Sequence, residues 1–140
     1  MKKYNVGYTS GVFDMFHVGH LNILQNAKKY CDYLIVGVTT DELVSYKNKQ
    51  AIIPFEERLK IVENIKYVDK VVAQVNMNKL EAWNALEFDV VYVGDDWKGT
   101  DKWNEIENEF KKINVDVVYF PYTKGTSSTI LRDTLMKINT

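Results

Sequence analysis

The chain has 140 residues, of which 46% are hydrophobic, enough for one domain over residues 1–140 that buries roughly two-thirds of its unfolded surface. Its formal charge of −1 gives no global positive field for nucleic acid or an anionic membrane, so an anionic ligand has to be held by a local cluster of positive groups. The single Cys31 excludes an intramolecular disulfide, Met1-Lys2-Lys3 leads into Tyr4 rather than a signal-peptide apolar run, and no stretch reaches membrane-span length, so the expectation is a soluble cytoplasmic protein.

The predicted elements alternate. A first strand over Tyr4–Thr9 runs into Gly11-Val12-Phe13-Asp14-Met15-Phe16-His17-Val18-Gly19-His20. Leu21, Leu24, Ala27 and Cys31 then recur at helical spacing, with Cys31 a small core filler near the helix end. A second strand, Tyr33–Thr39, precedes the polar Lys47-Asn48-Lys49. Phe55, Leu59, Val62 and Ile65 mark a helix whose first turn accepts Pro54. Strands at Lys70–Ala73 and Val90–Val93 follow, and the latter exits into Gly94-Asp95-Asp96-Trp97-Lys98-Gly99. Thr100 and Asp101 start, and Lys111 and Lys112 end, a helix carried by Trp103, Ile106, Phe110 and Ile113. The fifth strand, Val115–Phe120, leads through Pro121-Tyr122-Thr123-Lys124-Gly125-Thr126 to a last helix starting near Ser127 or Ser128 with Leu131, Leu135 and Ile138.

Alternating β and α elements imply an α/β fold, a five-stranded, mostly parallel sheet with helices on both faces. Runs such as Leu34-Ile35-Val36-Gly37-Val38 and Val90-Val91-Tyr92-Val93 suit strands buried on both sides. Ligands in such folds sit beyond the C-terminal ends of the strands, at the switch point, so the exits from strands one, two, four and five are the places to search.

At the first exit a glycine turn enters a helix whose free N–H groups and positive dipole end suit an anion. His17 and His20 add two donors whose protonation can change near neutral pH; capping or packing a helix is their structural alternative. Lys47 and Lys49 can clamp phosphate oxygens as point charges, or simply face solvent. Asp95 and Asp96 can hold a divalent metal through water or accept from a ligand's hydroxyls, unless the pair merely forms a turn and caps the next helix. Gly125 followed by Thr126, Ser127, Ser128 and Thr129 offers N–H and O–H donors to a triphosphate, where a cap explains only one hydroxyl.

His17-Val18-Gly19-His20 matches the HxGH signature of nucleotidyltransferases with a Rossmann-like fold. With Gly11-Val12-Phe13-Asp14, Lys66-Tyr67-Val68-Asp69, Gly94-Asp95-Asp96-Trp97 and Gly125-Thr126-Ser127-Ser128-Thr129, nearly the whole chain resembles the cytidylyltransferase branch. The likeness is greatest to the small enzymes that act on glycerol 3-phosphate, with the choline-phosphate and ethanolamine-phosphate enzymes as cousins. The resemblance implies transfer of CMP from CTP to a small alcohol phosphate, foremost sn-glycerol 3-phosphate, giving CDP-glycerol and pyrophosphate with Mg²⁺ as cofactor, and feeding polymers such as teichoic acid or capsule. It implies catalytic roles for His17, His20 and Lys47. A nucleotide site of Val12, Phe13, Asp14, Gly19, Lys66, Asp96, Thr123, Gly125, Thr126, Ser127, Ser128 and Thr129 would surround the two histidines. Lys47, Lys49 and Lys79 would meet the acceptor and Arg58 would support the lysine loop; the metal ligands stay open, with Asp14 a candidate beside Asp95 and Asp96. A homodimer through Lys66–Asp69 is implied too.

Two positions depart from the branch. Lys66 and Tyr122 stand where arginines are usual; lysine keeps the charge without the planar fork, whereas tyrosine loses it. Ser127-Ser128-Thr129-Ile130-Leu131-Arg132 and Pro54-Phe55-Glu56-Glu57-Arg58 resemble adenylyltransferases of the same superfamily. An adenylyltransferase using ATP and a sugar phosphate is therefore the second reading, and an inactive nucleotide-binding module the third.

Overall fold

The computed structural model describes residues 4–46, 50–121 and 128–138, with the backbone alone of Tyr46, Ser128 and Thr129. Five strands, β1 (Tyr4–Gly11), β2 (Cys31–Thr39), β3 (Lys70–Gln74), β4 (Val90–Gly94) and β5 (Asp116–Phe120), form one sheet in the order β3-β2-β1-β4-β5. Every pairing is parallel. The helices are α1 (Val18–Lys29), α2 (Asp41–Tyr46), α3 (Phe55–Glu63), α4 (Lys79–Leu86), α5 (Asp101–Lys111) and α6 (Ser128–Ile138).

Alternation along the strands feeds two cores. Leu34, Val36 and Val38 of β2 and Val90 and Tyr92 of β4 meet Leu24 and Ala27 of α1 and Val62 of α3 on one face. Ile35, Val91 and Tyr8 point to the other, against Phe88, Trp103 and Phe110, with Leu80 and Trp83 of α4 packed on them. Because the chain runs outward from β1 to β3 and then returns to β4, the switch point lies between β1 and β4.

Some boundaries differ from the sequence expectation. Cys31 opens β2 rather than closing α1, because Tyr30 already caps that helix, its N–H donating to the Ala27 carbonyl. Cys31 is still buried in the first core. Pro54 is the N-cap of α3, extended at ψ 151°, not a first-turn residue. Val115 precedes β5: Asn114 is left-handed, at φ 60°, and the Val115 N–H closes on the Phe110 carbonyl. The six-residue α2 is too short to show a period. α4 carried a missed signal, Asn78, whose side chain caps the helix by accepting from the Glu81 N–H at 3.1 Å.

Candidate active site

The exits of β1 to β4 share the C-terminal edge of the sheet, and the β1–α1 turn is its most constrained part. Phe13 and Met15 are left-handed, at φ 54° and 48°, conformations that non-glycine residues hold only when their surroundings impose them. Phe13 is fixed in the first core, so it shapes the turn through its backbone while its ring supports His20 edge-on at 5.4 Å.

His17 is the N-cap of α1. Its Nδ1 accepts from the Gly19 N–H at 3.0 Å, and the His20 Nδ1 accepts from the His17 N–H at 3.3 Å. A nitrogen that accepts cannot carry the proton, so both neutral rings are the Nε2–H tautomer. The rings stack at 4.0 Å between centroids. Burial lowers the pKa of His17. Burial, reinforced by His17 alongside and opposed by Asp14, brings His20 down to about 4. The change of protonation expected near neutral pH is therefore displaced to lower pH in the ligand-free site, furthest for His20. Both imidazoles are neutral there, yet both are donors, because the backbone occupies each Nδ1. The capping alternative and the donor reading hold together: one nitrogen caps, and the buried Nε2 of His17 has no partner among the described residues.

Asp14, 1% exposed, does not face the ligand edge as a free carboxylate. Its Oδ2 accepts from the Ile52 N–H and its Oδ1 from the Ile53 N–H, both at 2.9 Å. The Arg132 Nη2 of α6 lies 3.3 Å from Oδ2. Two amides and a guanidinium occupy the oxygens that a metal would need, which corrects the candidate metal role and makes Asp14 the joint between the β1 exit, the segment returning to α3, and α6. No three His, Cys, Asp or Glu among the described residues form a metal cluster.

Arg58 does similar work beneath the edge and is 1% exposed. Its Nε donates to the Ile53 carbonyl at 2.8 Å, and its Nη1 to the carbonyls of Val12 at 2.8 Å and Thr39 at 2.7 Å. Its Nη2 donates to the Asp41 Oδ1 at 2.6 Å. The Phe55 N–H and this guanidinium hold the Asp41 carboxyl below its usual range. One side chain thus ties the exits of β1 and β2 to the start of α3.

At the β4 exit Gly94 leads into a 3-10 turn, Asp95–Trp97. A Cβ on Gly94 would lie 2.7 Å from the Asp96 Oδ1, so the glycine lets that carboxylate fold back. The cap of α5 is Thr100, whose Oγ1 accepts from the Trp103 N–H, not either aspartate. Lys79, 8% exposed, reaches from α4 to donate to the Ser10 Oγ at 2.7 Å.

His17, His20, Gly19, Val12, Phe13, Asp14, Asp96 and Lys79 thus sit on elements ending at one edge. Lys66 does not. It precedes β3, whose first residue pairs with Ile35, so the parallel register puts it at the opposite, N-terminal edge, exposed and with its Nζ 5.2 Å from the Tyr67 ring centre. That corrects its place in the nucleotide site of its own chain. Lys47, Lys49, Thr123, Gly125, Thr126 and Ser127 lie outside the described residues, and Ser128 and Thr129 open α6. Sequence reasoning missed Thr39 and Gln74, single polar residues that end β2 and β3. Their only signal was their place at the C-terminal end of a parallel strand.

The profile of cytidylyltransferase-like proteins matches residues 8–134. Glycerol-3-phosphate cytidylyltransferase of Bacillus subtilis (strain 168) is 38% identical over 126 residues, covering 89% of this chain and 92% of the relative. The protein of the same name from Staphylococcus aureus (strain NCTC 8325 / PS 47) is 34% identical over 128 residues, covering 91% and 92%. In structure, the lipopolysaccharide core biosynthesis protein of Thermoplasma volcanium GSS1 superposes with a TM-score of 0.72 at 24% identity, over 88% of this chain and 99% of that one, a likeness of fold. By profile, sequence and architecture together, the chain belongs to the cytidylyltransferase-like family.

Proposed function

We propose that the protein transfers CMP from CTP to a small alcohol phosphate, foremost sn-glycerol 3-phosphate, releasing pyrophosphate. The observation that carries the reading is the buried Nε2–H of His17, a donor without a partner among the described residues, stacked on His20 at a helix N-terminus. The 34–38% identical relatives named for glycerol 3-phosphate support the acceptor. An acceptor phosphate oxygen attacks the α-phosphorus, a new P–O bond forms, and the bond to the α–β bridging oxygen breaks as pyrophosphate departs. Such chemistry needs positioning and donors aimed at growing charge. His17 and His20 supply those donors, and the family's lysines Lys47 and Lys49, with Lys79, would hold the acceptor phosphate. Asp14 and Arg58 act as positioning residues.

Mg²⁺ keeps most of its water and needs only one or two carboxylates beside the substrate phosphates. Triphosphate oxygens would hold it, with water between it and Asp95 or Asp96, and it would neutralise charge on the leaving group. A homodimer through Lys66–Asp69 and a cytoplasmic setting belong to the same proposal. No helix among the described residues is long and apolar enough to cross a membrane.

Pyrophosphate release measured with CTP and ATP side by side, across alcohol and sugar phosphates, tests the reading. Turnover with CTP and glycerol 3-phosphate is expected. Preference for ATP and a sugar phosphate would replace it with the adenylyl reading, and nucleotide binding without turnover on any acceptor would leave a binding module. Light scattering at the mass of one chain would remove the dimer.

A further inference from the structure

On the α4/α5 face of the same edge, against Gly11 and Val12 of the β1 exit, lies a cavity of about 190 Å³. Ser10, Thr39, Gln74, Met77, Lys79 and Trp97 line it. Gln74 is 7% exposed. Its Oε1 accepts from the Thr39 hydroxyl at 2.6 Å, and its Nε2 points to the Met77 Sδ at 3.8 Å. A carboxamide turns as a unit and the Thr39 hydroxyl can donate or accept, so it is the Met77 thioether, against which oxygen lone pairs would be set in the reverse orientation, that favours the Nε2 end facing it. A thioether is a weak acceptor, and a primary amide has two N–H groups to place. The Gln74 Nε2 therefore presents donor capacity that the described residues only weakly satisfy, in a cavity whose other wall carries the Lys79 ammonium.

We propose that Gln74 determines acceptor specificity, its Nε2 donating to a hydroxyl oxygen of the polyol phosphate. This rests on the reading that an alcohol phosphate is the acceptor, and it adds what that reading lacks, a group that distinguishes a polyol from an equally charged, less hydroxylated phosphate. A cation such as Lys79 recognises phosphate whatever alcohol it carries. A fixed, buried amide donor lining a cavity rejects an analogue that leaves it unpaired.

The test compares sn-glycerol 3-phosphate with the phosphates of 1,2-propanediol and 1,3-propanediol, each lacking one hydroxyl, in the wild type, in Gln74→Met and in Thr39→Val. Wild type is expected to favour glycerol 3-phosphate over at least one of them by about 10- to 100-fold in kcat/KM. Gln74→Met, similar in size but without the amide, should raise KM for glycerol 3-phosphate by that factor. Its KM for CTP and its use of the disfavoured analogue should be unchanged, so discrimination collapses. Thr39→Val, which frees the carboxamide without removing it, should lose part of the discrimination. Equal losses on all three acceptors, or a lower Tm with discrimination intact, would make Gln74 a structural residue and overturn the proposal. A wild type indifferent to the missing hydroxyl would do the same. If wild type turns over none of the three with CTP, the acceptor reading itself fails, and that is seen before any substitution is made.

Discussion

The two edges of the sheet treat polar groups in opposite ways. At the N-terminal edge, carboxylates close the ends of strands. The Asp89 Oδ2 accepts from the Val6 N–H, the Asp69 Oδ2 from the Leu34 N–H, and the Asp116 Oδ2 from the Tyr4 hydroxyl, all at 2.8–2.9 Å. At the C-terminal edge, buried donors such as the His17 Nε2 and the Arg132 Nε have no partner among the described residues. The first edge spends its polar groups on stability, whereas the second holds donors in reserve, as a site for a polyanion must. Arg58 is what makes the second edge tolerable, binding three carbonyls and a carboxylate from below.

The largest effect should come from removing that support. Arg58→Met leaves the carbonyls of Val12, Ile53 and Thr39 without their donor and frees Asp41. A loss of about 3–4 kcal/mol in denaturant unfolding is expected, with turnover falling alongside it. A variant of unchanged stability would show that the edge holds its shape without the guanidinium.

His17→Ala separates the edges more cleanly. Losing a preorganised donor should cost about 3 kcal/mol of transition-state stabilisation, or roughly 10²-fold in kcat. Losing the cap should cost only about 1 kcal/mol of stability. His17→Asn keeps a side-chain oxygen to accept from the Gly19 N–H, so it should recover the stability without the rate. Turnover near wild type in either variant would remove His17 from the mechanism. At the other edge, Asp89→Ala should lower stability by about 1–2 kcal/mol, because the Val6 N–H loses its acceptor, while kcat/KM stays within about twofold. A large fall in activity would mean that the edges are coupled.

The same contrast explains how much the sequence disclosed. Strands such as Leu34–Val38 and Val90–Val93 were legible because burial on both sides leaves an unbroken apolar run. His17 and His20 were legible as a pair because one helical turn separates them. The role of Asp14 was not: a lone carboxylate looks the same whether it awaits a metal or accepts amides from Ile52 and Ile53, 38 and 39 positions away. Lys66 was misplaced for the same reason, since a charged residue beside a familiar motif does not say at which end of a parallel strand it lies. Gln74 needed two contacts at once, one from Thr39 and one to Met77, and only the parallel register brings the first into being.

The most diagnostic effect is in the pH dependence of stability. Unfolded, His20 takes up its proton near its ordinary value of 6.5, whereas in the folded protein it is held down to about 4; His17 is lowered in the same direction by burial. As the pH falls from about 6.5 toward 4 the unfolded chain binds more protons than the folded one, so stability that is complete above this window is lost within it. A triphosphate beside both rings favours imidazolium and lifts the folded-state values. Thermal melts from about pH 7.5 down to 5 should therefore show a Tm that declines in the free protein and declines less with CTP. CTP binding at about pH 6 should take up protons, measurable by calorimetry in buffers of different ionisation enthalpy. His20→Asn should flatten the free-protein decline. An acid limb unchanged by CTP would place the triphosphate away from the imidazoles and dissolve the contrast between the edges, because the unpartnered donors would then have no anion to meet.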